Sequence, residues 1–155
     1  MKKKIAILGS TGSIGKSTIE IIKKDKKNFD VILLSANKNY KKLIKQAKEV
    51  RAKNVLIRNK KFYEQTKKGL KRAKTKVFTG EISIQKIIKE KLDYTMAAIV
   101  GIAGLQPTLD AIKISKTVAV ANKESIICGW DVLSKKIKKY KTKLLPVDSE
   151  HFSIM

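Results

Sequence analysis

The chain has 155 residues, of which 43% are apolar, and a formal net charge of +23. This composition is typical of a globular domain with its own core, and excludes a disordered chain, while the lack of a long apolar run argues against a membrane span or signal peptide. The positive charge is nearly all lysine spread over every predicted helix, so it indicates a solvated surface and no specific nucleic-acid partner. We therefore expect a soluble, cytoplasmic protein.

Short apolar runs alternate with amphipathic patterns along the whole chain, which predicts βαβ units around a parallel sheet. Strands are predicted near residues 3–8, 30–35, 54–57, 75–78, 93–100, 117–119 and 143–147. Helices are predicted over about residues 13–24, 40–50, 62–70, 82–91, 107–115 and 124–140. Strand 93–100 is the most continuously apolar, as a central strand buried on both faces should be. The predicted fold class is α/β, with a doubly wound, mainly parallel, Rossmann-like sheet.

The first strand runs into a glycine-rich turn, GSTGSIGKS at positions 9–17, and a helix follows. Glycines allow a backbone to approach a pyrophosphate, and the N–H groups that begin a helix bind its negative charge. The G-x-x-G-x-x-G spacing is a variant of the dinucleotide fingerprint, and a turn that binds nothing is the alternative. A P-loop is the rival, because Gly15, Lys16 and Ser17 match its end, but Ser10 stands where its first glycine belongs.

The end of the second predicted strand bears on the choice of dinucleotide. An NAD site normally places an acid about 20 residues after the glycines, to bind the ribose hydroxyls. Here the strand is followed by Asn37, Lys38 and Asn39, with no acid. A lysine beside amide donors favours the 2′-phosphate of NADPH, and a plain surface loop remains the alternative.

Two acids follow the last predicted strand. Asp148 and Glu150 stand at i and i+2, so an extended chain would point both carboxylates to one face. Two hard oxygen ligands on one face suit Mg²⁺ or Mn²⁺, and a solvated strand end is the alternative. In the helix before that strand, Cys128 and Trp130 stand among apolar residues, which predicts core packing for both.

Four motifs together resemble one known family. They are GSTGSIG at 9–15, AAIVGIAGLQPT at 97–108, ANKES at 121–125 and LPVDSEH at 145–151. In order and spacing they are similar to the amino-terminal part of the 1-deoxy-D-xylulose 5-phosphate reductoisomerases. The resemblance implies an NADPH-binding Rossmann-like domain over residues 1–143, and the first strand of a truncated catalytic domain over residues 144–155.

The resemblance also implies a reaction and its residues. Members rearrange 1-deoxy-D-xylulose 5-phosphate and reduce the product with NADPH to 2-C-methyl-D-erythritol 4-phosphate, in non-mevalonate isoprenoid biosynthesis, and full-length members form homodimers. By this resemblance the cofactor is bound by Thr11, Gly12, Ser13, Ile14, Asn37, Lys38, Asn39, Asn122 and Glu124. The metal is bound by Asp148 and Glu150, the substrate by Lys123, Ser149 and Glu150, and catalysis falls to Lys123 and Glu150.

Two features qualify what the resemblance implies. Family members usually have glycine where this chain has Asn37, a residue type that tolerates a left-handed backbone better than most. Part of the catalytic machinery lies in family sequence that this chain does not contain, so we expect the isolated chain to bind cofactor without turnover. One other interpretation is a stand-alone dinucleotide-binding module. A P-loop nucleotide hydrolase is the second, and the motif spacing favours it less.

Overall fold

The computed structural model describes residues 1–147 and shows one parallel sheet with helices on both faces. The strands are β1 (Lys3–Leu8), β2 (Phe29–Ala36), β3 (Asn54–Ile57), β4 (Lys76–Thr79), β5 (Leu92–Ala97), β6 (Ser115–Val120) and β7 (Lys143–Pro146). The helices are α1 (Ser13–Lys24), α2 (Tyr40–Val50), α3 (Tyr63–Gly69), α4 (Ile84–Ile87), α5 (Leu105–Ile114) and α6 (Lys123–Tyr140). Short 3₁₀ turns precede β2, α3 and α5.

The strand order is β4-β3-β2-β1-β5-β6-β7, and every pair among the described strands is parallel. From β1 the chain winds outward in one direction through β4, and then crosses to β5 and winds outward in the other. The predicted doubly wound α/β fold is therefore confirmed. The order reverses between β1 and β5, and ligands of such sheets bind outside the carboxyl ends of the strands at that reversal.

Two apolar cores, one on each face, bury the sheet. One core contains α1 and α2 residues such as Ile19 and Leu43, and the other contains Ile84, Ile112 and Leu133 from α4, α5 and α6. The central strands are buried on both sides, which is why their sequences are continuously apolar. The register of β1 against β2 shifts by one residue, and the bulge turns two consecutive β2 residues, 32 and 33, into the same core.

Helix boundaries follow local signals in most places. Asn39 caps α2, because its side chain accepts a hydrogen bond from the Lys42 amide at 3.2 Å. The predicted helix over 82–91 is wrong in length, since only Ile84–Ile87 is helical. Ile87 and Ile88 are both buried against the sheet, and Ile88 is extended, so the residues after it lead straight back into β5. Strand β5 likewise ends at Ala97, three residues before the predicted end.

Two features bear on the ends of the predicted domains. Residues 144–146, assigned from the sequence to a second segment, continue the sheet of the first, because β7 pairs with β6. The division of the chain at residue 143 stays a prediction. Among residues 1–147, no helix combines the length and hydropathy needed to cross a bilayer.

Candidate functional site

A cleft of about 470 Å³ opens at the carboxyl ends of β1 and β2, on the side where the strand order reverses. Three segments form it: the glycine-rich turn after β1, the loop after β2, and the residues that follow β5. Its walls include Gly9, Gly12, Asn37, Arg58 and Ile99. Its position is the one at which sheets of this topology bind dinucleotides.

The glycine-rich turn needs two of its glycines for the fold itself. Gly9 has φ +79°, and a Cβ there would lie 2.8 Å from the carbonyl oxygen of Ala98. A Cβ on Gly15 would lie 2.3 Å from the carbonyl oxygen of Gly9 and 2.6 Å from the Cα of Ser10. Both contacts are with backbone, which cannot move aside without separating helix from turn. These two residues therefore let α1 begin directly against β1.

Gly12 is different, because the fold leaves room at this position. A Cβ there would meet one atom within contact range, the carbonyl oxygen of Gly9 at 3.7 Å. Gly12 is also the N-cap of α1, where no side chain caps the helix and the first turn has no acid. The uncapped, partly positive end of a 12-residue helix thus borders the cleft. A backbone this open can accept a closely approaching phosphate, so the turn fits a dinucleotide.

Hydrogen bonds fix the turn to neighbouring elements. The amides of Gly9 and Ser10 both donate to the carbonyl oxygen of Ser35, at 3.1 and 2.9 Å. The Ser10 hydroxyl donates to Oε1 of Gln46 at 2.8 Å, and Nε2 of Gln46 donates back to the Ser10 carbonyl at 2.9 Å. Both residues are buried. This reciprocal pair ties the turn to α2. No local pattern could predict it, because 36 positions separate the two partners.

The P-loop interpretation gains no support from the side chains after the turn. The Ser17 hydroxyl donates to the Ser13 carbonyl at 3.2 Å, as serines inside helices do. Lys16 lies exposed in the first turns of α1, close to Lys42 at the start of α2. Contact with Lys16, together with partial burial, lowers the pKa of the Lys42 ammonium group. The surface where the first turns of α1 and α2 meet is therefore positive.

The predicted adenosine-side residues occupy the loop after β2. Asn37, Lys38 and Asn39 are all exposed, and Asn37 lines the cleft. Among the described residues other than glycine, only Arg51 and Lys141 have positive φ, so Asn37 keeps an ordinary backbone. Asn37 therefore does not depend on the tolerance of asparagine for a left-handed backbone.

Arg58 is a cleft residue that the sequence analysis missed. It follows β3, and its side chain lines the cleft together with Asn37 and Glu81. A signal for it exists in the strand pattern, because β3 ends at Ile57 in register with Ala36. Arg58, the residue after β3, therefore has to lie beside Asn37, the residue after β2.

A second, adjoining cleft of about 350 Å³ brings together residues that the sequence analysis assigned from distant motifs. Ser13 and Ile14, which begin α1, line it together with Asn122, Lys123 and Glu124, which begin α6. Thr11, on the other side of the glycine turn, lines the first cleft. The structure thus places the predicted pyrophosphate and ANKES residues around one continuous edge.

Asn122 is buried, and both ends of its carboxamide form hydrogen bonds with neighbouring backbone groups. Its carboxamide nitrogen donates to the carbonyl oxygens of Ile99, at 2.6 Å, and Gly101, and its oxygen accepts from the Ser125 amide at 3.1 Å. It therefore caps α6 and fixes the loop after β5 in the same contacts. Lys123 and Glu124 are exposed beside it.

The residues predicted as metal and substrate ligands at the end of the chain, Asp148, Ser149 and Glu150, lie outside the described residues. Within residues 1–147, no group of three or more metal-ligating side chains comes together. The strand that precedes them, β7, lies at the edge of the sheet beside β6. The Val147 amide continues this pairing by donating to the Val120 carbonyl at 2.9 Å. Val147, the last described residue, is therefore held next to the strand that precedes Asn122.

The prediction of core packing for Cys128 and Trp130 is wrong, since both are exposed, Trp130 by 51%. Helix α6 buries a narrow stripe at four-residue spacing, formed by Ser125, Gly129 and Leu133. A Cβ on Gly129 would lie 2.4 Å from a methyl group of Leu105, so this stripe packs tightly on α5. Ile126 packs against the core at the edge of this stripe, whereas Cys128 and Trp130 lie on the exposed side of the helix.

Comparison with known proteins decides the family. The family model described as 1-deoxy-D-xylulose 5-phosphate reductoisomerase matches residues 5–129. The chain belongs to this reductoisomerase family. The Pelagibacter ubique (strain HTCC1062) 1-deoxy-D-xylulose 5-phosphate reductoisomerase is 59% identical over 154 residues, which are 98% of this chain and 40% of that relative. The chain thus spans about two fifths of the length of the curated reductoisomerases it matches.

Solved reductoisomerase structures show the same fold. The enzyme from Zymomonas mobilis in complex with NADPH matches 97% of this chain and 40% of its own chain, with a TM-score of 0.91 and 39% identity. A DOX-P reductoisomerase in complex with NADPH, fosmidomycin and magnesium matches 96% of this chain and 37% of its own, with a TM-score of 0.87 and 34% identity. The resemblance read from the four motifs and the Rossmann-like fold are therefore confirmed.

Proposed function

We propose that this chain is the NADPH-binding part of an enzyme that converts 1-deoxy-D-xylulose 5-phosphate to 2-C-methyl-D-erythritol 4-phosphate in non-mevalonate isoprenoid biosynthesis. The observation that carries the proposal is the open position of Gly12 at the uncapped start of α1, inside the cleft where the strand order reverses. Two reductoisomerases of the same fold were solved with NADPH. The chain has the features that a bound pyrophosphate requires.

All but two of the residues proposed to bind NADPH line one of the two clefts, and the other two, Lys38 and Asn39, follow Asn37 on the loop after β2. The residues proposed to bind NADPH are Thr11, Gly12, Ser13, Ile14, Asn37, Lys38, Asn39, Asn122 and Glu124. For Asn122, whose side-chain donors are both used within the protein, the role is to hold the loop after β5 in the shape that receives the cofactor. Asn39 already caps α2 through its side-chain oxygen, which leaves its amide nitrogen for the cofactor.

The chemistry is proposed to take place at the α6 end of this edge. NADPH supplies a hydride, and a Mg²⁺ or Mn²⁺ ion held by Asp148 and Glu150 supplies Lewis acidity. Lys123 donates a hydrogen bond to the oxyanion that develops on the substrate, which preorganised charge stabilises strongly in a closed site. Ser149 and Glu150 bind the phosphorylated sugar, and Glu150 acts with Lys123 in catalysis.

The setting of the enzyme completes the proposal. We propose that the full-length protein is a cytoplasmic homodimer that has neither a specific nucleic-acid partner nor a membrane partner. The isolated chain binds NADPH without turnover, because the family's reaction also uses sequence outside the two fifths that this chain matches.

A nucleotide titration separates this proposal from its rivals. Purified chain is titrated with NADPH, ATP and GTP, while nicotinamide fluorescence and calorimetry report binding. Saturable NADPH binding that ATP does not displace supports the proposal. Preferential ATP or GTP binding, with none for NADPH, would instead establish a P-loop nucleotide hydrolase.

A chimera tests whether the domain serves catalysis. Residues 1–155 are joined to the remainder of the Pelagibacter ubique relative, and NADPH oxidation is followed with 1-deoxy-D-xylulose 5-phosphate and Mg²⁺ or Mn²⁺. We expect turnover, a loss of about 10²- to 10³-fold in Lys123→Met, and full activity in Lys135→Met, an exposed lysine of the same helix. NADPH binding without turnover in a folded chimera would leave a dinucleotide-binding module.

A further inference from the structure

Arg58 is built into the wall of the cleft where a dinucleotide would place its adenosine end. Its amide donates to the Ala36 carbonyl at 2.9 Å, and the next amide, of Asn59, donates to the Asn37 carbonyl at 3.0 Å. The loops after β2 and β3 are thereby joined side by side. The side chain of Arg58 is 18% exposed and faces the cleft beside Asn37.

The guanidinium group is incompletely paired. One terminal nitrogen, Nη1, donates to a carboxylate oxygen of Glu81 at 3.2 Å. The Nε atom is buried and has no acceptor among residues 1–147. A permanent cation with a buried, unpaired donor is costly, and an incoming anion relieves that cost.

The present partner of Arg58 is a weak competitor for an anion. The side chain of Glu81 is 88% exposed, so its ion pair with Arg58 is screened by water and easily exchanged. A phosphate dianion carries more charge and more acceptor atoms than one carboxylate contact. The planar fork of an arginine also matches phosphate oxygens two at a time.

Lys38, the phosphate residue expected from the sequence, has none of these features. It is exposed on the loop after β2 and does not line the cleft. A lysine on a solvated loop offers a mobile point charge, whereas Arg58 is held by two strands. The neighbouring Asn37 and Asn39 are neutral.

Resting on the proposed NADPH site, we infer that Arg58 determines the preference for NADPH over NADH: its guanidinium leaves Glu81 and pairs with the 2′-phosphate of the adenosine ribose. Glu81 then weakens NADPH binding by competing for the same group and by repelling the phosphate. Selectivity for the phosphorylated cofactor thus depends on an arginine after β3 as well as on the loop after β2.

The test is a titration of the whole chain with NADPH, NADH, 2′,5′-ADP and 5′-ADP. Arg58→Met, which keeps an unbranched apolar stem and removes the charge, should lose about 10- to 100-fold in affinity for NADPH and 2′,5′-ADP. Affinity for NADH and 5′-ADP should stay within about twofold. Arg72→Met removes an exposed arginine that does not line the cleft and should change neither ratio.

Two further variants keep the inference testable if Arg58→Met folds poorly. Arg58→Lys retains the charge and should restore part of the NADPH preference. Glu81→Gln removes an exposed competitor and should raise NADPH affinity about two- to fivefold, with NADH unchanged.

The possible failures are distinguishable. An NADPH-to-NADH affinity ratio that stays within twofold of wild type in Arg58→Met overturns the inference and leaves the proposed function standing. An equal loss for both cofactors also overturns it, because it would assign Arg58 to the adenine ring or to structure. Wild-type chain that binds no NADPH overturns the proposed function, and the role of Arg58 with it.

Discussion

Replacing Gly15 with alanine tests whether the glycine-rich turn and α1 are packed as closely as the structure has them. The added Cβ would lie 2.3 Å from the Gly9 carbonyl oxygen and 2.6 Å from two backbone atoms of Ser10. These distances are well inside van der Waals contact, so the start of α1 has to move away from β1. The turn is also tied to Ser35, so the movement breaks hydrogen bonds as well as packing.

The expected cost follows from two opposing effects. Overpacking a rigid site costs about 1–3 kcal/mol, and contact with backbone places Gly15→Ala at the upper end. Alanine in place of glycine within a helix returns up to about 1 kcal/mol. The net loss in unfolding free energy should be about 2 kcal/mol, which lowers the folded-to-unfolded ratio roughly 30-fold.

Gly12→Ala is the matched control, because the same added methyl meets its nearest atom at an ordinary 3.7 Å. Urea unfolding followed by far-ultraviolet circular dichroism should place Gly12→Ala within about 0.5 kcal/mol of wild type. The same variant should weaken NADPH binding, since its Cβ enters the cleft. A Gly15→Ala chain as stable as wild type, or a Gly12→Ala chain as unstable as Gly15→Ala, would refute the packing argument.

Three further outcomes follow from the described contacts. Gln46→Leu leaves the buried hydroxyl and carbonyl of Ser10 without partners and should cost about 2–3 kcal/mol in urea unfolding. Gln65→Leu, at an exposed position of α3, should stay within about 0.5 kcal/mol of wild type. A lysine ammonium and a backbone amide lower the pKa of the Asp93 carboxyl group, so its stabilisation is complete above about pH 4 and is lost as pH falls through the lowered pKa. Asp93→Asn should thus be less stable than wild type by about 1 kcal/mol or less at pH 6, and a gap that does not narrow as the pH falls below about 4 would contradict this origin. Cys128 is exposed, so a thiol reagent should label native chain at one site per molecule as fast as it labels chain in urea; protection in the native state would contradict its position.

The strand pattern predicted the fold because parallel strands buried on both faces are forced to be apolar. Strand β1 was predicted at its observed bounds, and the ends of the other described strands were predicted to within three residues. The glycine turn was also predicted, because its residue types follow from local backbone geometry. Such features depend on neighbours in the sequence.

The errors have a common physical origin in contacts between distant residues. The helix over 82–91 ends early because burial of Ile88 against the sheet overrides helical periodicity. Trp130 is exposed because α6 packs on α5 through the small residue Gly129. The role of Arg58 depends on two strand ends that lie 21 residues apart in the sequence, Ala36 and Ile57, and only sheet pairing brings them together.

The central claim is that the cleft beside the glycine-rich turn binds NADPH. The most direct measurement is a titration of ¹⁵N-labelled chain with NADPH, followed by amide chemical shifts. The largest shifts should fall at Gly12, Ser13 and Asn37, on the carboxyl edge of the sheet. Amides at the opposite edge, such as those of Lys4 and Asp93, should stay unchanged. Shifts centred on that opposite edge, or no shifts at saturating NADPH, would contradict the account.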